Sequence, residues 1–118
     1  MFDIAAEKAF ENKVKRFLKE QNCWFIKYWA GAVFTKSGVP DVLCCCNGYF
    51  LAIELKAPTG KPSDLQIYNI NKINETGGFA IILYPKDFDL FEEMVEHLQF
   101  YETSEASNLV ELINERWC

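Results

Sequence analysis

Val39-Pro40-Asp41-Val42-Leu43-Cys44-Cys45-Cys46, then Asn47-Gly48, then Tyr49-Phe50-Leu51-Ala52-Ile53-Glu54-Leu55-Lys56 is the stretch that decides the fold of this chain. Two β-rich runs flank Asn-Gly, the dipeptide best suited to a two-residue hairpin turn, because both residues tolerate positive φ. A two-residue loop without a bulge pairs Cys46 with Tyr49. Counting back along both strands then sets Asp41 opposite Glu54, and Lys56 points to the same face as Glu54. Directly opposed like charges destabilise a sheet. Nearly every other position of the hairpin is apolar, so both of its faces are expected to be covered. Two carboxylates beside buried surface need a compensating cation. Lys56 supplies one, and a hard divalent metal held through oxygens would supply more charge. The plainer alternative is a solvated hairpin end where Lys56 makes a simple ion pair, and a slipped register would remove the juxtaposition altogether.

Upstream, Asp3 is placed to cap a helix in which Phe10, Val14, Phe17, Leu18 and Gln21 follow helical spacing. Cys23 to Trp29 suits a strand, and residues 30–38 a loop. Downstream, Ala57 to Pro62 is a loop. A second helix is expected from Ser63 to about Thr76, closed by Gly77-Gly78. Phe79 to Tyr84 reads as a buried strand. Asp87 to Leu98 and Ser107 to Trp117 are amphipathic helices whose apolar stripes should cover the domain's own core, the second being open to a dimer interface as well. The order is α-β-β-β-α-β followed by two helices. It predicts one α/β domain over residues 1–118, with a mixed sheet flanked by helices, a core at about 3–86 and C-terminal helices at about 87–118.

The chain has 118 residues, half of them hydrophobic, enough to bury a core. No long apolar run suggests a membrane span, and the first residues lack a secretory pattern, so the expected location is the cytoplasm. The five cysteines include no CxxC pair. Neighbouring strand positions face opposite ways, so Cys44, Cys45 and Cys46 cannot share one zinc, and free thiols are expected. The net charge of −5 is unevenly distributed. Residues 1–72 carry ten Lys/Arg against seven Asp/Glu, a net +3; residues 73–118 carry two against ten, a net −8. This permits nucleic-acid binding by the basic half without showing it. His97, the one histidine, lies in the acidic half on a helix and is read as a surface or packing residue. Histidine-based nuclease chemistry and a Ser/His/Asp hydrolase are therefore disfavoured.

Gly38-Val39-Pro40-Asp41, Ile53-Glu54-Leu55-Lys56 and Gly60-Lys61-Pro62-Ser63-Asp64-Leu65-Gln66 together resemble the VRR-NUC family, most of all its small stand-alone members of phages and bacteria. That family belongs to the PD-(D/E)xK nuclease superfamily, with a restriction-endonuclease-like αβββαβ core. The resemblance spans roughly residues 7–90 and implies metal-assisted phosphodiester hydrolysis. By it, Asp41 and Glu54, with the Leu55 carbonyl, hold Mg²⁺, for which Mn²⁺ would substitute. Lys56 is the catalytic lysine, Gln66 belongs to the active site, and a first-helix glutamate completes the metal ligands. Glu11, in Glu11-Asn12-Lys13-Val14-Lys15-Arg16, fits the family segment better than Glu7, although spacing alone does not choose between them. Gln66 has a second reading, since Ser63-x-x-Gln66 is a capping box.

The partner implied is DNA, structured or branched, with Holliday junctions among the substrates, and a homodimer suits a symmetric junction. A branched-DNA-binding subunit without catalysis is the alternative; it predicts loss of the acidic or lysine positions, all of which are present. Lys27, Lys36, Ser37 and Lys61 are the expected backbone contacts. Lys13, Lys15, Arg16 and Lys19 are read as the wet face of the first helix. Trp24, Tyr28 and Trp29 could stack on bases, but aromatic residues in a strand are more often core.

Overall fold

The structure, a computed structural model, describes residues 4–28 and 36–116; Asp3, Trp29 and Trp117 lie outside this range. The chain runs α1 (Ile4–Glu20), β1 (Trp24–Lys27), β2 (Val42–Cys46), β3 (Tyr49–Leu55), α2 (Asp64–Glu75), β4 (Phe79–Leu83), a 3₁₀ turn (Pro85–Asp87), α3 (Phe88–Gln99) and α4 (Thr103–Glu115). The hairpin has the expected register, with Cys46 opposite Tyr49 and Val42 opposite Ile53. Asn47 and Gly48 take φ of 52° and 87°, the positive values a tight hairpin turn needs.

The sheet order is β1-β2-β3-β4. The first two pairings are antiparallel, and β3 runs parallel to β4 through the α2 crossover, so the sheet is mixed. One face packs on α1, α3 and α4: Phe10, Val14 and Leu18, Phe91, Met94 and Leu98, and Ala106, Val110 and Ile113 meet Val42, Leu51, Ile53 and Ile81 there. The other face packs Ala52, Ala80 and Ile82 against Ile70 of α2. Both C-terminal stripes thus cover the molecule's own core, as expected. Leu112, an apolar residue of that second helix, stands exposed, and α4 begins one turn earlier than its spacing suggested.

Two expectations fail together. The α2 cluster reaches β2 only at Leu43, and Cys45 and Phe50 of the hairpin are exposed. β1 is an edge strand, and Trp24, taken for core, is 66% exposed. Cys44 and Cys46 are buried while Cys45 between them is not, as strand alternation requires. Contact with Cys23, together with burial, pushes the Cys44 and Cys46 thiols up, so they stay neutral.

Candidate active site

The site forms where β2 begins and β3 ends. Gly38 makes its approach possible. Its φ is +74°, and a Cβ there would lie 2.6 Å from Leu65 and 2.9 Å from the amide of Asn69. Asn69, buried on α2, donates to the Gly38 carbonyl at 2.8 Å and so docks the loop that carries Pro40 and Asp41. The Asp41 carbonyl accepts from the Tyr28 N–H at 2.7 Å. Asp41 Oδ2 accepts from the Leu55 N–H at 2.9 Å, tying the start of β2 to the end of β3.

Glu54 lies one strand position earlier, 3% exposed in the sheet interior. Its Oε2 accepts from Gln66 Nε2 at 3.1 Å and lies 3.6 Å from Lys56 Nζ. Its Oε1 is buried without a hydrogen-bond partner. Burial, then the Asp41 charge, pushes the Glu54 carboxyl up to about 8, and Lys56 only partly opposes them. Gln66 uses both ends of its amide: its Oε1 accepts from the Ser63 N–H at 2.9 Å, completing the capping box of α2, while its Nε2 donates to Glu54.

Glu7, Asp41, Glu54, Leu55, Lys56 and Lys61 line one cleft of about 370 Å³. Two carboxylates, one of them with an orphaned buried oxygen, and no thiol or imidazole make a hard donor set. It fits Mg²⁺, which takes one or two carboxylates and keeps several waters. Among the described residues, no three His, Cys, Asp or Glu side chains converge on a metal position. Glu11 therefore does not join Asp41 and Glu54 directly. It is buried on α1 and accepts from Lys8 and Lys15 at 2.9 Å each and from Lys27. Burial alone would raise its carboxyl; the hydrogen bonds from Lys27, Lys15 and Lys8 outweigh that and hold it at about 2.

Of the expected DNA contacts, Lys61 lines the cleft, while Lys27 is engaged with Glu11. Lys36 and Ser37 belong to the docked loop, where their carbonyls accept from the Tyr28 hydroxyl and the Asn69 amide. His97 pairs with Glu102 at 3.0 Å at the end of α3, in keeping with a surface residue. Sequence reasoning missed Asn69 and Tyr84. The signal for Asn69 was a polar residue one turn from Gln66 on the helix face that holds Ile70; for Tyr84, whose hydroxyl donates to the Gly60 carbonyl at 2.6 Å, there was none.

Neither the curated proteins nor the solved structures include a match to this chain. The profile of the archaeal Holliday junction resolvase (Hjc) family, however, matches residues 5–83, two-thirds of the sequence, from α1 through β4. This is a PD-(D/E)xK-type family distinct from VRR-NUC, which the motifs resemble, and it supports the superfamily without supporting that branch. With Asp41, Glu54 and Lys56 gathered at the end of the hairpin and the profile spanning the whole αβββαβ core, the chain belongs to the archaeal Holliday junction resolvase family, a family of nucleases that act on DNA.

Proposed function

We propose that this protein is a Mg²⁺-dependent, structure-specific endodeoxyribonuclease, which cleaves Holliday junctions as a homodimer. The observation that carries the reading is Glu54: a carboxylate 3% exposed, with one oxygen held by Gln66 and Lys56 and the other left without a partner beside Asp41. A buried polar atom without a partner costs free energy unless a ligand takes it up.

Asp41, Glu54 and the Leu55 carbonyl would hold Mg²⁺, with Mn²⁺ as a substitute; when bound, the metal supplies Lewis acidity and lowers the pKa of a coordinated water. Asp41 is positioned by the Leu55 N–H. Gln66 and Lys56 draw on the same Glu54 oxygen, so Oε1 is the one that would be left to a cation. Lys56, whose side chain is 16% exposed and lines the cleft, orients the attacking water or neutralises phosphate oxygens. Glu11 is the first-helix acid of the reading, ionised at any working pH. Lys27, which binds it, pairs across the sheet with Val42, the neighbour of Asp41. Glu7 is the rival, because it lines the cleft itself. A C₂ dimer would present two such sites to the two symmetric strands of a junction.

The test is a panel of labelled DNAs (four-way junction, flap, nicked and intact duplex) with Mg²⁺ or Mn²⁺, beside Lys56→Ala. Metal-dependent cleavage of the junction that EDTA and Lys56→Ala both abolish is the expected result. Junction binding with no cleavage under any metal would leave only the non-catalytic reading.

A further inference from the structure

The acidic half of the chain contains two basic residues, Lys86 and Arg116, thirty positions apart. Both line one pocket of about 370 Å³, together with Lys61 from the loop after β3. That pocket shares Thr59, Gly60 and Lys61 with the catalytic cleft, so the two depressions border the same loop. We infer that the Lys61–Lys86–Arg116 pocket is a phosphate subsite, taking a phosphodiester of the substrate strand beyond the one that is cut. The inference rests on the nuclease reading above and extends it beyond residues 5–83, the part that matches the family.

The pocket is built rather than incidental. Tyr84, buried at the end of β4, donates from its hydroxyl to the Gly60 carbonyl and fixes the floor against the loop of the active site. Lys86 Nζ lies 5.7 Å from the centre of the Tyr84 ring and donates to the Arg116 carbonyl at 3.1 Å. Arg116 Nε donates to Asp87 Oδ1 at 2.6 Å, and Asp87 is 1% exposed. One carboxylate thus holds the guanidinium through Nε, while the three cations together exceed that single buried charge by two. A fixed guanidinium fork beside two ammonium groups is the arrangement that phosphate oxygens accept from. In a half carrying ten acidic residues, both basic residues fall at this pocket, beside the loop that also lines the cleft.

The test measures binding of a fluorescent four-way junction to the full chain in EDTA across a range of salt, and then cleavage in Mg²⁺ under single turnover. Lys86→Ala should weaken binding several-fold at low salt and reduce the slope of log K against log salt by about one, the loss of one phosphate contact. The cleavage rate at saturating protein should remain that of the wild type. Arg116→Gln combined with Asp87→Asn keeps the pair neutral, avoids stranding a buried carboxylate, and should lower the slope in the same way, with a thermal melt confirming the fold. Lys72→Ala, an equal charge change at an exposed site on α2 that lines neither pocket, should leave the slope alone. An unchanged slope for Lys86→Ala, or an equal loss for Lys72→Ala, overturns the subsite and reduces these residues to part of a general field. Failure of the wild type to cleave any DNA would instead sink the nuclease reading, and the binding slopes are read without it.

Discussion

Gln66 uses both ends of its amide, one on the α2 cap and one on Glu54, and its two duties separate by mutation. Ser63→Ala removes the cap alone and should cost about 1 kcal/mol of stability with cleavage within a few-fold of wild type. Gln66→Ala should additionally lower cleavage or metal affinity about 10- to 100-fold, as losses of outer-shell partners do. Equal cleavage by the two variants would show that Gln66 is only a cap. Glu54 gives a pH test. With its carboxyl raised from 4.5 to about 8, the folded protein holds a proton there that the unfolded chain has lost. In EDTA the wild type is therefore free of this penalty below about 4.5, loses stability as pH rises towards 8, and levels off above. Glu54→Gln should melt close to wild type at pH 5 and above it at pH 8.5; a constant difference across that range would mean the ionised carboxylate carries no folding penalty. The facing of Asp41 and Glu54 was legible because Asn47-Gly48 admits one tight turn, and a tight turn sets every later pair. The depth of Glu54 was not, since burial depends on α2 and β4, which lie outside the hairpin.

At the scale of elements, the outer edge of β4 is closed by side chains instead of a fifth strand. Asn74 exchanges hydrogen bonds with the Ala80 N–H and carbonyl, both near 2.9 Å, and Asn114 accepts from the Ile82 N–H at 3.0 Å. Asn114→Ala leaves that buried N–H unpaired and should cost about 1–3 kcal/mol in denaturant midpoint, with a greater tendency to associate through the open edge. A neutral effect would mean water replaces the amide. Neither asparagine stood out in the sequence, because a polar residue on a helix gives no sign of which strand edge it will meet. The same blindness explains β1: Trp24-Phe25-Ile26 has strand composition whether or not anything covers it, and only the assembled sheet reveals an edge strand with an open face. On α1, Glu11→Gln is expected to cost more cleavage than Glu7→Gln. It also leaves Lys8, Lys15 and Lys27 without their shared anion, so a melt must accompany it. If Glu7→Gln abolishes cleavage while Glu11→Gln only lowers the melting temperature, the first-helix acid of the site is Glu7.

Across the whole molecule, the charge split is a division between surfaces. The acidic half folds as α3 and α4 over the sheet face away from α2, and its apolar stripes are spent on the core through Phe91, Met94, Val110 and Ile113. Ile113→Ala should therefore behave as a core truncation, losing about 2–5 kcal/mol by chemical denaturation, with cleavage retained well below the melting point. The negative charges sit elsewhere: Glu93 and Glu96 are exposed on α3 and form no ion pair among the described residues. They can act on DNA only through the field they contribute, and at 0.15 M salt that field decays over about 8 Å. Reversing both to lysine should tighten junction binding measurably at low ionic strength and by less than about two-fold at physiological salt, with the cleavage rate at saturation unchanged. The phosphate subsite predicts a different signature, a lost contact that lowers the salt slope itself, so the two effects separate on one plot. A gain for the Glu93 and Glu96 reversals that persists undiminished at high salt would mean that α3 touches the DNA and that the acidic half is part of the binding surface.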